Sequence, residues 1–138
     1  MQLHVNPGDE VPIYRQIMRQ IVDAIAGGRL RSGDKLASHR DLAESLVIAP
    51  LTVKKAYDEL ERAGYIETQR GRGTFVAARL PSPDPVLRWE RLRETARRLA
   101  TQVVLSDVTL EEAKELVESE YSALVRERAG GGEEEEGS

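Results

Sequence analysis

The residues whose types and spacing could do chemistry are Arg40, the group Thr52, Lys54 and Lys55, and the run Arg70-Gly71-Arg72-Gly73. Their chemistry is the recognition of anions and of base edges. Guanidinium and ammonium groups donate to phosphate oxygens and guanine acceptors, and a threonine hydroxyl serves either. Glycine lets a backbone come close to what it binds. Catalytic chemistry has no comparable support. The chain has no cysteine, and its two histidines, His4 and His39, have no carboxylates at a spacing that completes a metal site. Glu111, Glu112, Glu115 and Glu118 read as helix surface, and no nucleophile faces a general base. The expectation is no metal, no cofactor and no enzyme.

These residues need elements to position them. Ile13, Ile17, Ile21 and Ile25 recur every four residues, with Val22 beside them, and predict a helix from about Pro12 to Ala26, ended by Gly27-Gly28. Residues 1–11 read as a short lead-in, and residues 29–36 as a turn. Ser38 with Asp41 resembles a capping box for a helix through Leu46, whose inner face is Leu42, Ala43 and Leu46. After a turn at Val47–Ala49, Pro50 opens the next helix. Val53, Ala56, Tyr57 and Leu60 face inward there, and Gly64 is its stop. Strand character at Tyr65–Gln69 and Thr74–Ala78, with glycines between, gives a hairpin tipped by Arg70–Gly73.

Two short helices followed by a basic hairpin make a helix-turn-helix with a wing, which is a reading of double-stranded DNA as partner. Leu51, Thr52, Lys54 and Lys55 lie at the N-terminal end of the second helix, where base edges are commonly reached. Leu51 fits a thymine methyl and equally fits packing under the turn. Ser38 caps its helix and can also donate to phosphate. Arg40 reaches a phosphate or groove edge, and Arg70, Gly71, Arg72 and Gly73 place arginines and bare backbone at a groove.

Beyond Arg79 the character changes. Residues 80–85 are a proline-rich linker. Trp89, Leu92, Ala96, Leu99 and Val103 then form a narrow apolar seam. A break at Ser106–Thr109 precedes a second helix, capped by Thr109 with Glu112, whose stripe includes Leu110, Ala113, Leu116, Val117, Tyr121 and Leu124. Two such helices bury too little to fold alone, so residues 86–128 read as a dimerisation module completed by a second copy. Residues 129–138 are glycine- and glutamate-rich and read as disordered. The fold class is mainly α with a small β-hairpin wing: an N-terminal winged helix-turn-helix over 1–79 and a C-terminal two-helix hairpin.

Charge is divided along the same boundary. The 138 residues carry 20 Lys and Arg against 24 Asp and Glu, a net charge of −4. Residues 1–79 hold 12 basic against 10 acidic side chains, and residues 80–138 hold 8 against 14. Phosphate responds to the local surface rather than to the total, so global acidity does not exclude a DNA partner. No apolar run is long enough to span a membrane and no signal-peptide pattern opens the chain, which points to a soluble, cytoplasmic protein.

The runs Gly33–Ala43, Leu51–Leu60 and Gly71–Val76 together resemble the winged-helix domain of GntR-family bacterial transcription regulators, over roughly residues 10–78. The short helical tail resembles the YtrA-type branch, in which about two helices replace a large ligand-binding domain, and in which proline often opens the recognition helix. The resemblance implies a homodimer on a palindromic operator, usually a repressor, often beside genes for ABC transporters. A small-molecule effector would find room only at the dimer interface or between the domains. The resemblance carries DNA contacts onto Arg40, Thr52, Lys54 and Arg70–Gly73. Two departures stand out: Ala37 where the family usually has proline, and Ala49-Pro50-Leu51 where many members have polar or arginine residues. The alternatives are a protein-interaction module and a non-specific DNA-architectural module.

Overall fold

The structure, a computed structural model, describes residues 2–79 and 85–136. It divides into two units, Met1–Pro81 with Glu127–Ser138, and Ser82–Arg126.

In the first unit, α1 (Ile13–Ala26) turns the expected isoleucine face inward, with Ile17 and Ile21 fully buried. Pro12 is its N-cap, in an extended conformation, rather than part of its first turn. The lead-in segment is held along α1 by two glutamines one turn apart. Gln20 accepts from the His4 N–H and donates to the His4 carbonyl; Gln16 does the same for Asn6. This pairing satisfies main-chain groups that have no sheet partner and brings Leu3 into the core.

Helix α2 (His39–Leu46) starts where expected: Ser38 Oγ accepts from the Asp41 N–H at 3.1 Å. It stops at Val47, which takes the left-handed conformation (φ 57°) and donates to the Ala43 and Glu44 carbonyls. A β-branched residue there is strained, yet Val47 is 89% exposed and gains nothing from packing. Pro50 opens α3 (Pro50–Arg62) at its first turn, where a missing N–H costs nothing. Val53, Ala56, Tyr57 and Leu60 are buried against α1 and α2, with Val53 and Leu60 wholly inaccessible. Each large aliphatic buried this fully contributes about 1.5–3 kcal/mol.

The wing is a three-stranded antiparallel sheet, not a lone hairpin. Strands β2 (Ile66–Gln69) and β3 (Gly73–Val76) pair as expected, and β1 (Lys35–Leu36), inside the segment expected to be a turn, pairs with the other side of β3. Two residues are too few to show alternation, so the strand has no signature of its own. Leu36, Ile66 and Val76 supply the sheet's buried face.

Helices α4 (Pro85–Val104) and α5 (Leu110–Glu136) follow one another through a short break, and the second unit holds α4 with α5 as far as Arg126. The start of α5 is a reciprocal capping box: Glu112 N–H donates to Thr109 Oγ1, and Thr109 N–H donates to Glu112 Oε1, each at 3.1 Å. Pro85 opens α4 instead of closing the linker, and residues 80–84 lie outside the described residues. The segment expected to be disordered departs from expectation too. Helix α5 runs on to Glu136, and only residues 137–138 of that segment lie outside the described residues. Extending an existing helix is far less costly than nucleating one, and glutamate is a good helix former. Against that, Gly130–Gly132 cost about 1 kcal/mol each, which is why the composition suggests disorder.

Candidate nucleic-acid interface

Four segments carry the candidate residues: the turn between α2 and α3, the first turns of both helices, and the wing. Pro50 at N1 and the buried Val53–Tyr57 face fix the rotation of α3, which leaves Leu51 77% exposed at its open end. That exposure decides the sequence ambiguity about this residue, because Leu51 is not packed under the turn. Thr52 is half-buried, and its N–H donates to the Ala49 carbonyl, which closes the first turn.

The two lysines of α3 are both engaged by protein groups. Lys54 Nζ sits 2.8 Å from Asp58 Oδ2, one turn further along the same helix. Lys55 Nζ lies 4.2 Å from the centre of the Tyr14 ring on α1, a cation–π contact. Neither partner was among the candidate residues. Asp58 is one acid among several on α3, and Tyr14 lies beside the isoleucine face of α1; only the packed structure shows their roles.

Arg40, Arg70 and Arg72 are different. All three are exposed, and among the described residues none has a carboxylate within ion-pair distance. Arg40 is in the first turn of α2, where Ser38 fixes the backbone. Arg70 and Arg72 flank Gly71 in the three-residue connection between Gln69 and Gly73. The Arg72 N–H donates to the Gln69 carbonyl at 2.9 Å, which closes a turn with Gly71 at its third position. Gly71 has φ 78° there, the left-handed value that a type II turn demands. Gly73, at φ 125°, lies outside the range of side-chain-bearing residues.

One further tie holds this surface together. The Tyr57 hydroxyl, on the inner face of α3, donates to the Ala37 carbonyl at 2.7 Å. Ala37 precedes the Ser38 cap and stands where proline was expected, so the entry to α2 is held from across the core instead. Burial pushes the Tyr57 phenol up to about 12. No group of three or more His, Asp or Glu side chains could hold a metal among the described residues, and no described helix is long and apolar enough to cross a membrane.

The arrangement is a winged helix-turn-helix with exposed cations on the wing and on α2. Residues 13–76 match the family described as bacterial regulatory proteins, gntR family. The chain is 36% identical over 124 residues to the HTH-type transcriptional repressor YtrA of Bacillus subtilis, covering 90% of this chain and 95% of that protein. Among solved structures it is similar to a transcriptional antiterminator from Listeria monocytogenes, at 33% identity and TM-score 0.77, covering 88% of this chain and 90% of that one. It is also similar to YtrA from Sulfolobus acidocaldarius, a GntR-family transcription factor, at 38% identity and TM-score 0.56, covering 68% and 97%. The chain belongs to the GntR family and is a DNA-binding transcriptional regulator, in a family of regulators rather than enzymes.

Proposed function

We propose that this regulator is a homodimeric repressor that reads a palindromic operator, with α3 in the major groove and the wing on the backbone or minor groove beside it. In this reading Leu51, Thr52, Lys54 and Lys55 meet base edges. Ser38, Arg40, Arg70 and Arg72 hold phosphates, and Gly71 and Gly73 allow the wing backbone to approach. The observation that carries it is the exposed open end of α3, together with exposed arginines on α2 and the wing that have no carboxylate partner among the described residues.

The second unit supports the dimer. Its apolar side chains face solvent in the single chain: Trp89 is 63% exposed, and Leu92, Leu110, Val117 and Tyr121 are more than half exposed. Ala96 is exposed, Leu99, Val103 and Leu124 are half-buried, and Ala113 is the one buried residue among those described there. An open, largely apolar groove of ≈ 780 Å³ lies between α4 and α5, lined by Ala96, Leu99, Val103, Ala113 and Val117 among others. Those exposed apolar faces are the surface that a second copy of the chain would cover. A small-molecule effector that lifts repression belongs to the same reading.

In-vitro selection from a random duplex library at near-physiological salt tests the proposal. A two-fold symmetric motif is expected. Binding without any motif supports a non-specific architectural role, and no binding points to a protein-interaction module.

A further inference from the structure

The geometry points to Lys35 as an additional phosphate-binding residue of the wing, seated in place by Gly73. This inference rests on the DNA reading of the same surface. Lys35 is far from the wing tip in sequence, but β1 pairs with β3 so that Lys35 stands opposite Phe75 and Leu36 opposite Thr74. Side chains alternate across a strand, and Leu36 is buried, so Lys35 belongs to the outer face of the sheet. Gly73, two residues before Phe75, is on that same face. A Cβ built at Gly73 would lie 3.0 Å from Lys35 Cε and 3.7 Å from Nζ. The lysine stem therefore crosses the space that a side chain at position 73 would fill, and its ammonium ends beside Gly73 at the tip of the wing.

Three features make that ammonium available to an anion. Lys35 is exposed, and among the described residues it has no carboxylate within ion-pair distance. The nearest acid in sequence, Asp34, already accepts from the Arg31 N–H at 2.8 Å. Glu67, in line with Lys35 across the sheet, lies on the far side of Phe75 and accepts from the Gln69 amide. Gly73 thus has two uses: it supplies a backbone conformation closed to other residues, and it leaves a channel that directs a lysine from another strand toward the ligand of the wing. The recognised chemistry is a DNA phosphate adjoining the groove that the wing enters.

The test compares the full-length wild type with Lys35→Gln and Lys35→Arg on the selected operator and on a scrambled duplex, with Kd measured by fluorescence anisotropy across salt. Loss of one phosphate contact lowers the slope of log Kd against log salt by about 0.9. Between 50 and 200 mM salt, the wild-type Kd should therefore rise about 3.5-fold more than that of Lys35→Gln. The loss should be equal on both duplexes, and Lys35→Arg should keep the wild-type slope. A Lys35→Gln slope equal to wild type overturns the proposal and leaves Lys35 as a charged guard of an open sheet edge. Arg72→Ala, run alongside, separates the two ideas. If it lowers the slope and Lys35→Gln does not, only the Lys35 assignment fails; if the wild type itself shows no salt-dependent binding, the DNA reading fails.

Discussion

Replacing Tyr57 by phenylalanine should destabilise the winged helix at neutral pH, and the difference should vanish in alkali. The substitution removes one oxygen and no packing area. What is lost is the 2.7 Å hydrogen bond by which the buried Tyr57 side chain, only 7% exposed, holds the Ala37 carbonyl. A net loss of about 1 kcal/mol follows at pH 8, the ordinary net worth of one intramolecular hydrogen bond, because Ala37 itself is exposed and water can take over its carbonyl. Alkali has the opposite effect on the wild type. The phenol is raised by burial from 10.0 to about 12 in the folded protein. A group whose folded pKa lies above its unfolded pKa contributes stability that is intact below the unfolded value and is lost as pH rises toward the folded one. The window is thus pH 10 to 12, and at pH 11 the wild type should have given up about 1.4 kcal/mol through this phenol. A phenylalanine ring cannot ionise, so the variant escapes that loss. All other titrations are shared and cancel in the difference. Urea unfolding of both proteins at pH 8, 10 and 11 gives the required free energies. The expected result is a wild-type advantage that holds to about pH 10 and falls to near zero by pH 11. An advantage that stays constant over that range, or a variant as stable as wild type at pH 8, would refute the assigned hydrogen bond and its burial.

Further outcomes follow from the strained turn and the charged surface. Val47→Gly should stabilise the protein by about 1 kcal/mol, because relief of a left-handed β-branched residue outweighs the added chain entropy; thermal unfolding reads this, and a lower midpoint would count against it. Asp58→Asn should change stability by less than about 0.5 kcal/mol, since its pair with Lys54 is half-exposed, while tightening binding to all DNA. In competition assays the ratio of operator to scrambled affinity should fall, and an unchanged ratio would show that Asp58 does not govern Lys54. Arg72→Ala should weaken binding to every sequence alike and reduce the salt slope by about 0.9; equal slopes for variant and wild type would remove Arg72 from the phosphate contacts.

The helices were legible because their signals are local. An isoleucine every fourth residue, Ser38 three before Asp41, Pro50 before an apolar stripe and Thr109 three before Glu112 each act within one or two turns of chain. The structure realises each of them: two caps, one N1 proline and one buried face. The features that did not show depend on contacts between segments distant in sequence. Strand β1 exists only because β3 offers it an edge, so Lys35 could not be assigned to the wing from its neighbours. The Tyr14 ring under Lys55 and the Tyr57 bond to Ala37 also join separate elements. Ala37 shows the same limit from the other direction. Its departure from proline suggests a loosened helix entry, whereas a hydroxyl twenty residues away holds that entry in place.

The placement of charge suggests how affinity and discrimination are divided in this regulator. A lysine free to swing finds a phosphate on any duplex, which raises affinity without raising selectivity. In α3 both lysines are restrained before DNA arrives, Lys54 by a carboxylate and Lys55 by a ring. Arg40, Arg70 and Arg72 carry no such restraint from a carboxylate among the described residues, and neither does Lys35, if it joins them. Affinity that does not depend on sequence would then come from α2 and the wing, which are proposed to meet the backbone. The recognition helix would contribute its charge only where a base edge outcompetes Asp58 or Tyr14. The restraint on Lys54 is weak, an exposed pair worth a few tenths of a kcal/mol, so a well-placed guanine can displace it. A poorly placed one gains correspondingly less. Asp58 would then lower the affinity for all DNA slightly and for wrong sequences most, so that an acid on a DNA-reading helix improves the reading.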